Sequence, residues 1–266
     1  MRNISYILIL ISTVLLYNCE SEEILNPDAV HIEHTVVQAE IKPEKLFPSV
    51  RFTKTLPLGV PYDLKQAELK NVTAYILKNE VQVIPLHYTS DGLYKPLYDF
   101  YVEEGEIYEL IAERDGIYIY GKTIVPFKPN VVSTSYISSG YYFDADVKSK
   151  LNEVYGALWI ISGNPSVRAN DYYSITSPTT SENTNIVVRT SSIPETYRSP
   201  ANPDKKYIQV VAFDVSFRKY FYSRTSGQQV SDPFIQGGGA VEWNVQGDKV
   251  IGMFIGITAG EIIEVN

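Results

Sequence analysis

The sequence predicts a mainly β protein of two tandem β-sandwich-like domains, the second carrying one short helix. Three observations lead there. Short runs rich in Val, Ile, Thr and Tyr recur along the chain, separated by Gly, Pro, Asn and Asp, which is the pattern of strands and turns. Asp115-Gly116 joins two such runs, and this pair is a strong hairpin signal because both residues tolerate the positive φ of a tight turn. Past the N-terminal leader, one segment near residue 220 has the period of a helix. With 44% hydrophobic and 20% charged residues, the composition is that of a globular protein rather than a low-complexity or disordered one.

The chain opens with Met1-Arg2-Asn3 and an apolar run over residues 4–17. A basic start and a short apolar core predict an export signal over residues 1–18. The run is shorter than the roughly 18–20 residues that a membrane-spanning helix needs. Cys19 follows in the context Leu16-Tyr17-Asn18-Cys19, which resembles a lipobox, where the thiol is acylated and becomes the new N-terminus. The residues before that cysteine are usually small, and Tyr17 and Asn18 are bulkier. As the single cysteine of the chain, Cys19 cannot form an internal disulfide, and it stands where the apolar run gives way to Glu20-Ser21-Glu22-Glu23. Cys19 is therefore the expected lipidation residue, and residues 19–30 read as an acidic flexible tether.

A first β-sandwich is expected over residues 31–127. Its strands are predicted at residues 32–40, 48–54, 71–78, 81–88 and 107–114, and the hairpin returns over 117–125. In that return strand Ile117, Ile119, Gly121 and Thr123 share one face, and Tyr118, Tyr120 and Lys122 the other. Residues 126–130, with Pro126 and Pro129, break the ladder and mark the boundary. A second β domain is expected over 130–266, with strands at 131–138, 141–147, 155–163, 186–190 and 207–213. Residues 164–185 and 191–204, rich in Ser, Thr, Asn and Pro, read as long loops. Residues 215–225 form the one helix, with Phe217, Tyr220, Phe221 and Arg224 on a stripe, Ser216 as its cap and Gly227 past its end. A turn at Gly237-Gly238-Gly239 then leads to a closing hairpin of 240–245 and 250–258, with a last strand at 261–265.

Charge and side-chain inventory exclude several functions. The 23 Lys and Arg less Arg2 of the leader leave 22 against 31 Asp and Glu, a net of −9. Nucleic-acid binding needs clustered cations and is not expected. Neither is attachment to an anionic membrane by basic patches. Tyrosine is abundant at 21 residues, which suits half-wet sheet faces or a tyrosine-lined surface for a glycan or peptide. His31 and His34 flank Glu33 at a spacing that would place two metal ligands on a helix, but on a strand they face opposite ways, so no metal site is expected there. His87, in a strand, reads as structural. Asp144 and Asp146 share a strand face, but Lys148 and Lys150 follow where a calcium loop needs oxygen ligands. Acidic pairs such as Glu103-Glu104 could in principle serve glycoside hydrolysis, which depends on a separation that sequence does not give. No nucleophile elbow, phosphate loop or zinc pattern occurs, and neither cofactor nor catalytic residue is expected.

Several stretches together resemble the Bacteroidetes lipoproteins of the domain of unknown function 4249 family. These are NVTAYIL, SDGLY, EEGEIYELIAERDG and KTIVP between Lys70 and Pro126, then Asn170-Asp171-Tyr172-Tyr173-Ser174-Ile175. The C-terminal stretches are Asp232-Pro233-Phe234, Asn244-Val245-Gln246-Gly247 and Gly252-Met253-Phe254. The order of the first group is also similar to transthyretin-like sandwiches, and the acidic run after Cys19 to the surface-export signal of these lipoproteins. Asp171 interrupts the family's Asn-Tyr-Tyr run. The resemblance implies an N-terminal sandwich of Ig or transthyretin type and an outer-membrane, lipid-anchored protein on the cell surface. It implies a TonB-dependent transporter as partner and no catalytic residues. The expected function is thus non-enzymatic binding, through the long loops of the second half, of a ligand or a transporter. The alternatives are a structural adhesin or fimbria-like protein and a glycan-active enzyme.

Overall fold

The computed structural model describes residues 31–57, 59–163, 165–198, 204–227 and 241–265. The expectations for the leader, Cys19, the tether, Asp232-Pro233-Phe234 and Gly237–239 lie outside these residues. No described helix is long and apolar enough to cross a membrane.

The first part of the chain contributes β1 (Thr35–Ile41), β2 (Val50–Lys54), a four-residue helix α1 (Leu64–Ala67), β3 (Thr73–Lys78), β4 (Gln82–Ser90) and β5 (Leu93–Pro96), then β6 (Ile107–Arg114) and β7 (Ile117–Ile124). The Asp-Gly hairpin forms as predicted: Asp115 has φ 52 and Gly116 φ 81, and Arg114 pairs with Ile117. Ile119, Gly121 and Thr123 of β7 turn inward, while Tyr118 and Lys122 stay in water. A second Asp-Gly turn at Asp91 and Gly92, with φ 54 and 74, joins β4 to β5.

The remaining strands are β8 (Asn130–Ile137), β9 (Tyr142–Lys148), β10 (Glu153–Ile161), β11 (Val167–Arg168), β12 (Asn185–Arg189) and β13 (Lys206–Asp214). After the helix α2 (Ser216–Gly227) come β14 (Val245–Gln246) and β15 (Val250–Glu264). Twelve strands make one sheet in the order β11-β10-β13-β15-β1-β2-β5-β4-β3-β6-β7-β14, and β12-β9-β8 make another. The protein is mainly β, and the large sheet does not close into a barrel. Its two ends are strands of two residues, too short to template pairing with another chain.

The end of the chain departs from the expected hairpin. Residues 250–264 form a single long strand, whose first half pairs parallel with β1 and whose second half pairs antiparallel with β13. β14 pairs instead with β7, at Val245–Gly121 and Gln246–Tyr120. Beside it the Asn244 amide imitates a strand: Oδ1 accepts from the Phe254 N–H at 2.9 Å and Nδ2 donates to the Phe254 carbonyl at 2.6 Å. Gly252 has φ +131, and a Cβ there would run into the backbone of Val37, so the parallel ladder needs glycine at this point.

Two main cores result. The first holds Val37, Phe52, Ile76, Ile84, Tyr94, Tyr108 and Leu110, together with Val245, Val250 and Phe254 from the C-terminal segment. The second lies between β12-β9-β8 and the β10-β13 face, around Phe143, Tyr155, Trp159, Val188 and Ile208. A smaller cluster of Val154, Ile175, Val211, Phe213 and Phe221 joins the other face of β10-β13 to α2. Three tyrosines are core residues rather than sheet-face ones, because each hydroxyl finds a partner: Tyr94 donates to the Leu69 carbonyl, Tyr108 accepts from the Glu103 N–H, and Tyr155 donates to Glu153.

The expected boundary at residues 126–130 runs between the two cores and is tied to both sides. The Phe127 N–H donates to the buried Glu153 carboxylate at 2.7 Å, and the Lys128 N–H to Glu104 at 3.0 Å. Thr258 Oγ1 donates to the Pro126 carbonyl, and the Gly256 N–H to Thr123 Oγ1. Residues Glu33–Asn266 form one compact unit.

Candidate functional site

Because β1 and β15 bury one face in the first core, their alternate residues form an outer surface, and α2 overhangs it. Val36, Gln38 and Glu40 of β1 and Met253, Ile255 and Ile257 of β15 make the floor of a trough of about 760 Å³. Strand order sets its walls. On the β13 side stand Phe217 and Tyr220 of α2 with Trp243, and on the β2 side Arg51 and the β1–β2 connection with Lys45 and Leu46.

The aromatic wall is fixed from behind. Phe217 stacks on Phe213 of β13 at 4.1 Å and 11°, and Tyr220 lies 5.9 Å from Phe217 and 5.4 Å from Trp243. Asp214 positions the start of α2 and is itself buried. Its Oδ1 accepts from the Ser216 N–H at 2.8 Å and the Ser216 hydroxyl at 2.6 Å, while Oδ2 accepts from the Ile124 N–H at 2.8 Å. Ser216 was expected to cap this helix with its hydroxyl. Ser216 is instead the first residue of α2, which also includes the Gly227 expected past its end, and the Asp214 carboxylate just before the helix takes the capping place by accepting from the Ser216 N–H. On the far side of Trp243, the Asn244 amide holds the chain against β15.

The other wall carries positive charge. Lys42 pairs with Glu40 at 2.8 Å, whereas Lys45 and Arg51 enter no ion pair among the described residues. In an acidic chain, two cations without an ion pair, beside a mostly apolar floor whose Glu40 carboxylate is already paired with Lys42, are an asymmetry that a ligand can use. The volume lies within the ~300–1,000 Å³ of small-molecule sites, and a mostly apolar lining with a few polar groups is their usual chemistry.

The residues singled out in the sequence do not converge. Among the described residues no cluster of three or more His, Cys, Asp or Glu could hold a metal. Glu33 is an ion-pair node, 2.8 Å from Arg114 and 3.0 Å from Lys54. Burial alone would raise its carboxyl, but these two cations bring it below its ordinary value. The His34 N–H donates to Thr55 Oγ1, and His87 is exposed on β4. Asp144 and Asp146 do share a face, and each meets a cross-strand neighbour: Arg189 grips Asp144 with two bonds of 2.8 and 2.9 Å, and Ser133 donates to Asp146 at 2.5 Å. Glu103 pairs with Lys78, and Glu104 with the Lys128 N–H.

Two further carboxylates have perturbed acidity without standing in a cleft. Tyr88 donates to Glu68 at 2.6 Å and Lys70 pairs with it at 3.0 Å, which lowers its carboxyl to about 2. Burial raises Glu153, partly offset by the bonds from Tyr155 and the Phe127 N–H. Both are structural contacts.

The long loops were expected to carry recognition. Ala169, Ile175, Thr179 and Ile193 within them are buried, so much of their length covers the β10-β13 sheet rather than standing free. The trough itself has no local signature. Only the Phe217–Tyr220 stripe of α2 pointed toward it, and the parallel pairing of β1 with β15 brings the rest together.

A mainly β scaffold with an open, ligand-sized trough is thus what fold and site define. No protein-family model matches the chain, and no curated protein matches it. A solved structure, of a DUF4785 family protein from Legionella pneumophila subsp. pneumophila str. Philadelphia 1, aligns with 71% of this chain at 13% identity and a TM-score of 0.26. The chain spans 54% of that protein. A likeness this slight carries no argument about function.

Proposed function

We propose that this protein is a non-enzymatic, lipid-anchored protein of the outer-membrane surface that holds a small amphipathic carboxylate in the trough. Its apolar body lies on Met253, Ile255 and Val36 against Tyr220 and Trp243, and its carboxylate meets Lys45 and Arg51. The observation that carries this reading is the pairing of a mostly apolar, ligand-sized trough with two cations that have no ion-pair partner among the described residues. Anchorage rests on the sequence, in which Cys19 follows an apolar run and precedes an acidic tether. The resemblance to lipoproteins of the domain of unknown function 4249 family supplies the cell-surface address and a TonB-dependent transporter as receiver of the cargo.

What supports binding over catalysis is that Asp144, Asp146, Glu103 and Glu104 are each engaged in a structural contact. What weighs against polymerisation through strand edges is that the large sheet ends in two-residue strands.

Decanoate titrated into the full-length Trp159→Phe protein, with Trp243 as the remaining tryptophan, tests the proposal. Saturable change in Trp243 emission is expected, with affinity falling about tenfold, or 1.4 kcal/mol, in Arg51→Gln. Decanol, which lacks the charge, is expected to bind more weakly than decanoate. Emission that does not respond, or equal affinity for decanol and decanoate, would sink the reading. Incorporation of labelled palmitate that persists in Cys19→Ser would sink the anchor.

A further inference from the structure

Helix α2 presents three faces. Phe217 and Tyr220 line the trough, and Arg218 and Tyr222 line the surface beside Thr176 and Ser177. Ser216 and Lys219, neighbours at a spacing of three, line a separate hollow of about 270 Å³ over β7 and β14. Trp243 borders both the trough and this hollow, but the hollow does not depend on the trough being filled. Its frame is fixed from within. Asn244 Nδ2 donates to Ser216 Oγ at 3.3 Å, the Glu242 N–H to Ser223 Oγ at 2.8 Å, and the Tyr120 hydroxyl to Glu109 at 2.5 Å. Lys122 at its rim is matched by Glu109 at 3.3 Å and Glu80 at 3.6 Å.

Three polar side chains are left over. Lys219, Glu242 and Gln246 line the hollow and are exposed, and their side chains enter no hydrogen bond or ion pair among the described residues. Lys219 only donates, Glu242 only accepts, and Gln246 does both. The charges of Lys219 and Glu242 are equal and opposite, so the set favours neither an anion nor a cation. It suits a neutral ligand that gives and takes hydrogen bonds around its rim. The rest of the wall is aromatic: Trp243 is 37% exposed, and Tyr120 is half-buried. A pyranose ring has that combination, with apolar C–H faces for aromatic rings and a rim of hydroxyls for the polar groups.

The sheet extends this surface in a straight row. Gln246 stands opposite Tyr120, Tyr120 opposite Ile111, and Ile111 opposite Tyr75. Tyr75, Ile111 and Tyr120 are all half-buried, so part of each remains open to a ligand. Two strand spacings separate Tyr75 from Tyr120, about 9.5 Å, close to the length of a disaccharide. An extended peptide has no way to add here as a strand, because β3, β6 and β7 are each paired on both edges. We propose that the hollow holds one ring of a neutral, β-linked glycan, whose flat chain continues over Tyr120, Ile111 and Tyr75. A coiled, α-linked chain turns away from such a row after its first rings.

Cellohexaose titrated into the full-length protein tests the site, read at the Trp243 indole N–H, the Gln246 side-chain amide and the backbone amides of Tyr75 and Tyr120. Saturable shifts are expected at all four. Maltohexaose, which coils, and sorbitol, which has the hydroxyls without the ring faces, are each expected to bind at least tenfold more weakly. Gln246→Ala, in the exposed end strand, is expected to weaken cellohexaose about fivefold, the share of one hydrogen bond. Resonances unmoved by cellohexaose, shifts centred elsewhere, or equal affinity for maltohexaose or sorbitol would overturn the assignment without reference to any variant's folding. Unaltered affinity in a folded Gln246→Ala protein would overturn it as well. Decanoate shifts at Gln38 and Arg51 are read on the same sample, so a silent cellohexaose titration beside a positive decanoate one rejects this site and leaves the trough standing.

Discussion

Replacing Ile84 by alanine in the middle of β4 tests whether the two cores unfold together. Ile84 is fully buried, and in the sheet β1, β2 and β5 stand between β4 and β15. Removing its side chain leaves a cavity in the first core and costs about 3 kcal/mol, the usual order for a buried isoleucine cut to alanine. With a urea dependence of about 3 kcal/mol per molar for a chain of this size, the midpoint falls by about 1 M. The informative probe is far away. Trp159 is buried in the second core, its indole N–H donating to Ser191 Oγ at 3.0 Å. In a Trp243→Phe background it is the only tryptophan. Because β15 belongs to both cores, and Glu153, Asp214 and Thr258 of the second part bind the backbone of residues 124–127, the Trp159 transition is expected to move by the same 1 M as the circular dichroism. A Trp159 midpoint unchanged by Ile84→Ala, with the dichroism splitting into two steps, would refute the reasoning.

Asp214→Ala removes the acceptor of the Ile124 and Ser216 N–H groups and is expected to cost about 1–3 kcal/mol, with faster amide exchange at Ile124 and at the start of α2. Exchange unchanged at both positions would count against that role. Glu68 has its folded value lowered to about 2 from 4.5, so its stabilisation is complete above about 4.5 and is lost as pH falls toward 2. Glu68→Gln is therefore expected to flatten the acid limb of the melting temperature; an unchanged acid limb would show the contact to be idle. Glu153 is raised by burial, so the folded state holds its proton more firmly than the unfolded one. Stability then declines as pH climbs from 4.5 through the raised folded value. Glu153→Gln is expected to remove that decline, and a decline of equal slope in the variant would contradict the assignment.

Local chemistry was legible in the sequence wherever it was self-sufficient. The Asp115-Gly116 turn dictates its own hairpin, and the Phe217, Tyr220, Phe221, Arg224 stripe marks α2, because each depends on contacts a few residues apart. The long-range arrangement was not legible. Residues 240–245 and 250–258 have the look of a hairpin, but the Asn244 side chain takes the edge of β15 and sends Val245 to β7. The parallel pairing of Thr35 with Val250 joins residues at opposite ends of the chain, and no local pattern announces it. The course of the Ser/Thr-rich loops was not legible for a related reason: apolar residues within them, Ile175 and Ile193, are buried, and these anchors decide where the segments lie. The trough combines β1, β2, α2, Trp243 and β15, so its residues become neighbours only after the sheet has formed.

The most direct test of that trough is to map the backbone amide shifts of the full-length protein as decanoate is added. Shifts are expected to concentrate at Gln38, Arg51, Tyr220, Trp243, Met253 and Ile255, with those around Thr176, Ser177 and Arg218 still. Shifts centred anywhere else, or none at saturating decanoate, would contradict the account.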